Sequence, residues 1–243
     1  MIEDVNSRSI VVMGDIHGAF HKAYTLNVEH SCIIVAGDCG FGFKSDQQIA
    51  EMYAKAKRVL ERKDNLVLFV RGNHDAPMWF DGIRFNHGRM KCISDYTVVK
   101  NDRHNVLCIG GAVSVDRSWR IENFRKRKKS PDWWQDEIPF FNPEAIERIT
   151  AAGIHIDTIV SHTCPSFAFP TRKKGVEEFL DCDVNLMQDL CKERNTMDEI
   201  YACLKTHNHP FKQWVYGHFH DSHRRVYNEV EYVLLNIGEN FGI

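Results

Sequence analysis

Ile10-Val11-Val12-Met13-Gly14-Asp15-Ile16-His17-Gly18 is the stretch from which the rest of the chain can be read. Its first four residues form a short apolar run with the signature of a buried strand. The run stops at Gly14, and Asp15 and His17 follow two positions apart. In extended backbone such positions face the same side, so the spacing brings a carboxylate and an imidazole to one ion. Gly14 and Gly18 allow a sharp turn and leave room for a ligand. Alone the pattern is weak, because Asp-x-His also occurs in ordinary loops.

Working outward, the same order repeats. Phe20–Glu29 reads as a modest helix leading into a strand over Cys32–Ala36. Ser45 with Gln48 three residues later makes a capping-box signal. Ile49, Met52, Tyr53, Ala56, Val59 and Leu60 then recur at helical spacing. Leu66–Val70 is the third apolar run and ends in Arg71-Gly72-Asn73-His74-Asp75. This strand-helix-strand-helix-strand order predicts a parallel sheet with helices outside it. Ligands gather beyond the carboxyl ends of such strands. Three polar motifs stand at those ends: 14–18, Gly37-Asp38 and 71–75.

The chain of 243 residues is 43% hydrophobic with a net charge of −2. That supports one sizeable core and a single domain over 1–243. The near-neutral charge gives no global attraction to nucleic acid or to a membrane. Its apolar runs are strand-sized, far short of a membrane span. Met1-Ile2-Glu3-Asp4 lacks the basic and apolar regions of a secretory signal, so the expected compartment is the cytoplasm. The eight cysteines form no Cys-x-x-Cys pair and read as reduced thiols.

Farther along, Met90–Ile93, Tyr96–Lys100 and Asn105–Ile109 read as short strands, the last broken by Gly110-Gly111. Arg117–Lys129 carries seven basic residues against one acid, with Trp119 and Phe124 among them. Three readings stand for it: a solvated helix, a phosphate-binding flap, or a nucleic-acid surface with stacking aromatics. Asn142 caps a helix that starts at Pro143. Asp157–Ser161 is a strand ending in His162, and a long helix runs through Met187, Leu190, Met197, Ile200 and Leu204. Phe211–Tyr216, Arg224–Tyr227 and Val230–Ile237 close the chain as strands. The first of them runs into Gly217-His218-Phe219-His220.

Collected in order, the run ends deliver Asp15, His17, Asp38, Asn73, His74, His162, His218 and His220. Carboxylate, amide and imidazole suit Mn²⁺ first, and also Fe or Zn²⁺. Two divalent ions against two carboxylates and one hydroxide leave a net charge of about +1, which still attracts a phosphate. A third carboxylate would cancel it. The remaining histidines, His207 and His209 included, read as solvated or structural, and Cys39 and Cys164 as packing residues.

The ordered set of Asp-x-His, Gly-Asp, Gly-Asn-His-Asp, a strand-end His and Gly-His-x-His resembles the calcineurin-like metallophosphoesterase superfamily, from Gly14 to His220. The resemblance implies an α/β fold, a four-layer α/β/β/α sandwich of two mixed sheets flanked by helices. Its metal site lies at the strand C-terminal ends. Carried over position by position, Asp15, His17 and His220 hold one metal, Asn73, His162 and His218 the other, and Asp38 bridges. It further implies two divalent metal ions and hydrolysis of a phosphomonoester or phosphodiester by in-line attack of a bridging hydroxide. His74 adjoins Asn73, so in extended backbone it faces away from the ion that Asn73 holds. By resemblance it is catalytic, lying over the substrate as a general acid.

Gly110-Gly111-Ala112-Val113-Ser114-Val115-Asp116-Arg117, followed by Trp133-Trp134, resembles a bacterial and phage subset of the superfamily. Asp116, Arg117 and Arg120 are therefore candidates for the substrate edge of the site. Arg71, at a strand end, belongs either on substrate phosphate or in a structural ion pair. The protein Ser/Thr phosphatase branch carries Gly-Asp-x-x-Asp-Arg-Gly at its second motif. Here Gly37-Asp38-Cys39-Gly40-Phe41-Gly42 lacks that second Asp and the Arg, and Asp75 replaces a Glu. That branch is disfavoured, and what orients His74 stays open. The expected partner is a phosphate-ester substrate, with no membrane. A nuclease using the basic run on single-stranded nucleic acid is one alternative. A non-catalytic interaction module on the same fold is the other, although it would be expected to lose His74 or a ligand.

Overall fold

The computed structural model describes residues 1–127, 133–170 and 176–243. In chain order the strands are β1 (Ile2–Asp4), β2 (Ser9–Met13), β3 (Ser31–Val35), β4 (Leu66–Phe69), β5 (Met90–Cys92) and β6 (Thr97–Lys100). They continue as β7 (Asn105–Ile109), β8 (Thr158–Ser161), β9 (Gln213–Tyr216), β10 (His223–Tyr227), β11 (Val230–Leu234) and β12 (Asn240–Gly242). The helices are α1 (His21–Tyr24), α2 (Asp46–Lys63), α3 (Arg117–Arg127), α4 (Pro143–Ala151), α5 (Glu177–Leu180) and α6 (Leu186–Thr206).

The strands form two mixed sheets. The smaller has the order β12-β2-β3-β4-β5 and the larger β1-β6-β7-β8-β9-β11-β10. β2 to β5 run parallel, with β12 antiparallel at the edge. β7, β8, β9 and β11 are also parallel, with β6 and β10 antiparallel to their neighbours.

Alternation along each strand decides what meets what. Ile10, Val12, Cys32, Ile34, Leu68 and Val70 of the smaller sheet pack against Val99, Val106, Cys108, Val160, Val215 and Val233 of the larger. The intervening residues Ile33, Val35, Val67 and Phe69 face outward onto Ile49, Ala56 and Leu60 of α2. On the far side Leu107, Ile109, Ile159, Trp214 and Tyr216 meet Ile146 and Ile149 of α4 and Met197, Ile200 and Leu204 of α6. The result is helix, sheet, sheet, helix. Strands buried on both faces read as unbroken apolar runs, and each such side chain contributes about 1.5–3 kcal/mol of burial.

The caps follow the sequence. Ser45 and Gln48 form the reciprocal capping box of α2, and Asn142 Oδ1 accepts the Ala145 N–H at the start of α4. The helix expected over Phe20–Glu29 is cut to His21–Tyr24. Thr25 Oγ1 donates to the His21 carbonyl there, and the chain reverses at His30 with φ +51°. The edge strands β1 and β12 were not expected from pattern, since each has only three residues and little burial. Among the described residues, no helix is long and apolar enough to cross a membrane.

Candidate metal centre

The carboxyl ends of parallel strands from both sheets open at one edge. The loop after β2 brings Asp15 and His17, the loop after β3 Asp38, and the loop after β4 Asn73 and His74. From the larger sheet come His162, directly after β8, and His218 and His220 after β9.

One ligand atom each from Asp15, His17, Asp38 and His220 lies within 4.8 Å of all the others. His17 Nε2 and His220 Nε2 face each other at 3.0 Å. Asp15 Oδ2 stands 3.1 Å from His220 Nε2 and 3.7 Å from His17 Nε2. It is buried and makes no hydrogen bond. A buried carboxylate oxygen without a donor is costly, and two imidazole nitrogens aimed at the same point suggest what belongs there. A divalent cation satisfies all three atoms, and the oxygen and nitrogen donors suit one of the harder ions. The residues present therefore fit a metal. Cys39 does not compete as a ligand, because burial pushes its thiol up and it donates to the Val70 carbonyl.

Asp38 joins this group to a second one. Its Oδ2 lies 3.9 Å from His17 Nδ1, while its Oδ1 lies 3.2 Å from His162 Nε2. That same His162 nitrogen is 2.8 Å from Asn73 Oδ1, and the opposite ring nitrogen is held by the Ala36 carbonyl at 2.8 Å. The His218 ring packs edge-on against His162 with centroids 5.0 Å apart, and the His218 backbone N–H donates to Asp15 Oδ1.

The backbone is bent to achieve this. His17, Asp38, His218 and His220 all have positive φ, between 42° and 68°. Such conformations cost about 1–3 kcal/mol each in non-glycine residues and persist only where the surroundings enforce them. The expectation that Asp15 and His17 converge through extended chain is thereby corrected. His17 turns left-handed, and the Ile16 and His17 N–H groups both donate to the Asp38 carbonyl. Two glycines are obligatory by contact. A Cβ on Gly37 would sit 2.2 Å from His162 Nδ1, and one on Gly72 would sit 2.0 Å from Asp38 N. Asp75, fully buried, accepts from the N–H groups of Gly72, Cys39, Gly40 and Phe41 and so ties the second and third loops together.

Charge is concentrated here. Burial alone would raise the Asp38 carboxyl, but His162, His74 and His17 outweigh it and hold the group well below the usual carboxylate range. Burial alone would lower His162, yet Asp38 and Asp15 push it up to about 9. For His17 burial prevails and the imidazole is lowered.

His74 corrects a second expectation. Residues 73–75 form a turn, not extended chain, so His74 faces the same basin as Asn73. Asn73 Nδ2 is 3.3 Å from His74 Nε2, and that nitrogen lies 4.0 Å from Asp38 Oδ2. Its outer partner is Arg120 of α3, whose Nη2 is 3.1 Å away. Asp116 grips Arg120 Nε with both oxygens at 2.9 Å. The sequence left the orientation of His74 open, and Arg120 with Asp116 supplies contacts there.

The other two candidate arginines are engaged elsewhere. Arg71, buried, binds Asp95 at 3.0 Å and the carbonyls of Asp136 and Glu137. Arg117 pairs with Asp183 and Asp189, anchoring α3 to α6. Along the basic run Lys126 also pairs with Glu122, whereas Trp119 is exposed. Lys128 and Lys129 lie outside the described residues.

Sequence reasoning missed three buried groups beside the site: Ser114, Glu137 and Glu193. Glu193 of α6 accepts from the Val113 N–H and from Thr163 Oγ1, next to His162. Glu137 accepts from the Ser114 N–H and Oγ, and burial pushes its carboxyl up to about 8 against those bonds. Ser114 and Glu137 stand in irregular segments that carry no period, whereas Glu193 falls on the buried helical spacing of Leu186, Leu190, Met197 and Ile200, a signal the sequence does offer. The Glu137 shift has a consequence for stability. A carboxyl raised in the folded state stabilises fully below its ordinary value near 4.5, and that contribution is lost as pH rises through about 8. Denaturation midpoints should fall between pH 6 and pH 9, and less so in Glu137→Gln. Equal slopes for the two proteins would contradict the shift.

The sequence profile of the calcineurin-like phosphoesterase family matches residues 8–222. No curated protein sequence is similar enough to match. Among solved structures, a dimetal phosphatase from Danio rerio superposes with a TM-score of 0.52 at 12% identity, over 95% of this chain and 87% of that one. A phosphopantetheinyl hydrolase from Mycobacterium tuberculosis gives 0.40 at 15% identity, over 97% and 90%. At such identities the likeness is one of fold.

Proposed function

Because the chain belongs to the calcineurin-like phosphoesterase family, we propose that it is a dinuclear metal-dependent phosphoesterase acting on a phosphomonoester or phosphodiester of modest size. One observation carries this reading: the ligand atoms of Asp15, His17, Asp38 and His220 converge, and Asp38 continues the contact to His162 and Asn73. Asp15, His17 and His220 would hold one ion and Asn73, His162 and His218 the other, with the two oxygens of Asp38 turned to opposite halves. A pair of divalent ions, Mn²⁺ foremost, supplies Lewis-acid activation of water and neutralises phosphoryl charge. Both sheets contribute groups, so residues 1–243 are read as one functional unit. The free cysteines fit a reducing compartment such as the cytoplasm.

The chain's own residues do the rest. His74 stands at the rim, its N–H fixed by Asp38 Oδ1 at 2.9 Å, and is placed to give a proton to the leaving oxygen. Arg120 is aimed by Asp116 and binds an incoming phosphoryl oxygen, a better acceptor than imidazole; the exchange frees His74 Nε2. Arg120→Ala should raise KM for an aryl phosphate about tenfold or more with metal content unchanged. An unaltered KM would remove Arg120 and Asp116 from the substrate edge.

Metal analysis followed by parallel assay on aryl phosphate and bis-aryl phosphate with Mn²⁺ tests the reading. Turnover of either ester is expected, and the preferred one sets monoesterase against diesterase. Two bound ions without hydrolysis of either would contradict it. Pairing of Arg117, Arg120 and Lys126 with acids leaves less free charge on α3 for a nucleic-acid strand. A nuclease would instead bind oligonucleotides tightly, with affinity falling steeply as salt rises.

A further inference from the structure

We infer that Ser114, held by Glu137, is a positioning residue that fixes which end of the Asn73 amide faces the metal basin. An asparagine amide has two similar ends, and only its oxygen binds a cation. Nothing in Asn73 itself selects one end, so its partners must. Ser114 Oγ lies 2.9 Å from Asn73 Nδ2 and accepts its hydrogen. Ser114 in turn donates to Glu137 Oε2 at 2.6 Å, and the Ser114 N–H donates to Glu137 Oε1 at 2.8 Å. With its own proton given to Glu137, Ser114 meets Asn73 as an acceptor. The flipped amide would set oxygen against oxygen there and turn an NH₂ group toward the cation. The Ser114–Glu137 contact holds a single hydrogen, so the arrangement requires Oε2 to remain the acceptor in it.

The relay is built, not incidental. Ser114, Glu137 and Asn73 are each at most 1% exposed, so water does not substitute for a lost partner. Glu137 is held through its own carbonyl by buried Arg71, which Asp95 anchors. Arg71 thus serves the centre through the 136–138 segment. The neighbouring Val113 N–H is bound by Glu193, whose other oxygen takes Thr163 beside His162. The loop after β7 and the loop after β8 are therefore locked together around the Asn73 half of the basin. Groups that orient ligands in this way typically change metal affinity about 10–100-fold when removed.

The inference rests on the dinuclear reading, and titration with Mn²⁺ separates the two. Wild-type protein is expected to bind two equivalents. Ser114→Ala should bind the first normally and the second about 10–100-fold more weakly, while folding with a lowered denaturation midpoint, since Glu137 and Asn73 each lose a buried partner. Asn73→Ala should weaken the same step, and Ser114→Ala should add little on top of it, because both act through one amide. Additive effects would mean that Ser114 acts elsewhere and would overturn the inference. So would an unchanged second equivalent in Ser114→Ala. Wild-type protein that binds no Mn²⁺ would instead sink the dinuclear reading beneath it. Should Ser114→Ala fail to fold, Ser114→Cys, close in size with a weak acceptor, carries the same measurement.

Discussion

Asp38→Asn is expected to fold and to lose turnover by at least about 10³-fold, roughly 4 kcal/mol of barrier. Folding should survive because the backbone duties of the residue do not need its charge. Its carbonyl takes the Ile16 and His17 N–H groups, and its Oδ1 takes that of His74. Asparagine tolerates the left-handed φ of +46° better than most residues. What disappears is one negative charge and one oxygen, replaced by a donor that faces His17 and His74. Two ions cannot share an amide as they share a carboxylate, so metal content should fall below two equivalents. Full activity with both ions retained would remove the bridging role.

His74→Ala should lower kcat by about 10²- to 10⁴-fold, the usual range for a lost general acid, while metal content stays at wild type. The two measurements together assign the residue. His74 is anchored through its backbone, which alanine keeps, and its side chain makes contact with Arg120. Loss should be smallest for esters with good leaving groups, which need no proton. A variant that loses metal instead would make His74 a ligand.

The fold was readable because both sheets are buried on both faces. Continuous runs such as Ile33–Val35 and Leu66–Phe69 announce strands, and the glycines and polar residues after them announce ligand loops. The positions of the polar residues that gather at one edge were readable for the same reason. Their directions were not. Parity along a strand sends His74 away from Asn73, but the chain turns at that point, and both side chains enter one basin. Left-handed backbone at His17, Asp38, His218 and His220 has no sequence mark when glycine is absent. Arg71 illustrates a different limit. Its position after β4 suits a phosphate contact and a structural ion pair alike, and only the distant Asp95 and Glu137 reveal where its charge is engaged. Ser114 and Glu193 come from a loop and a helix far apart in the chain, so their convergence on the metal basin appears only in three dimensions.

The most direct test is anomalous diffraction from crystals grown with Mn²⁺. Two peaks are predicted, one ringed by Asp15, His17, Asp38 and His220, the other by Asp38, Asn73, His162 and His218. No peak at either place, with those side chains pointing apart, would contradict the account.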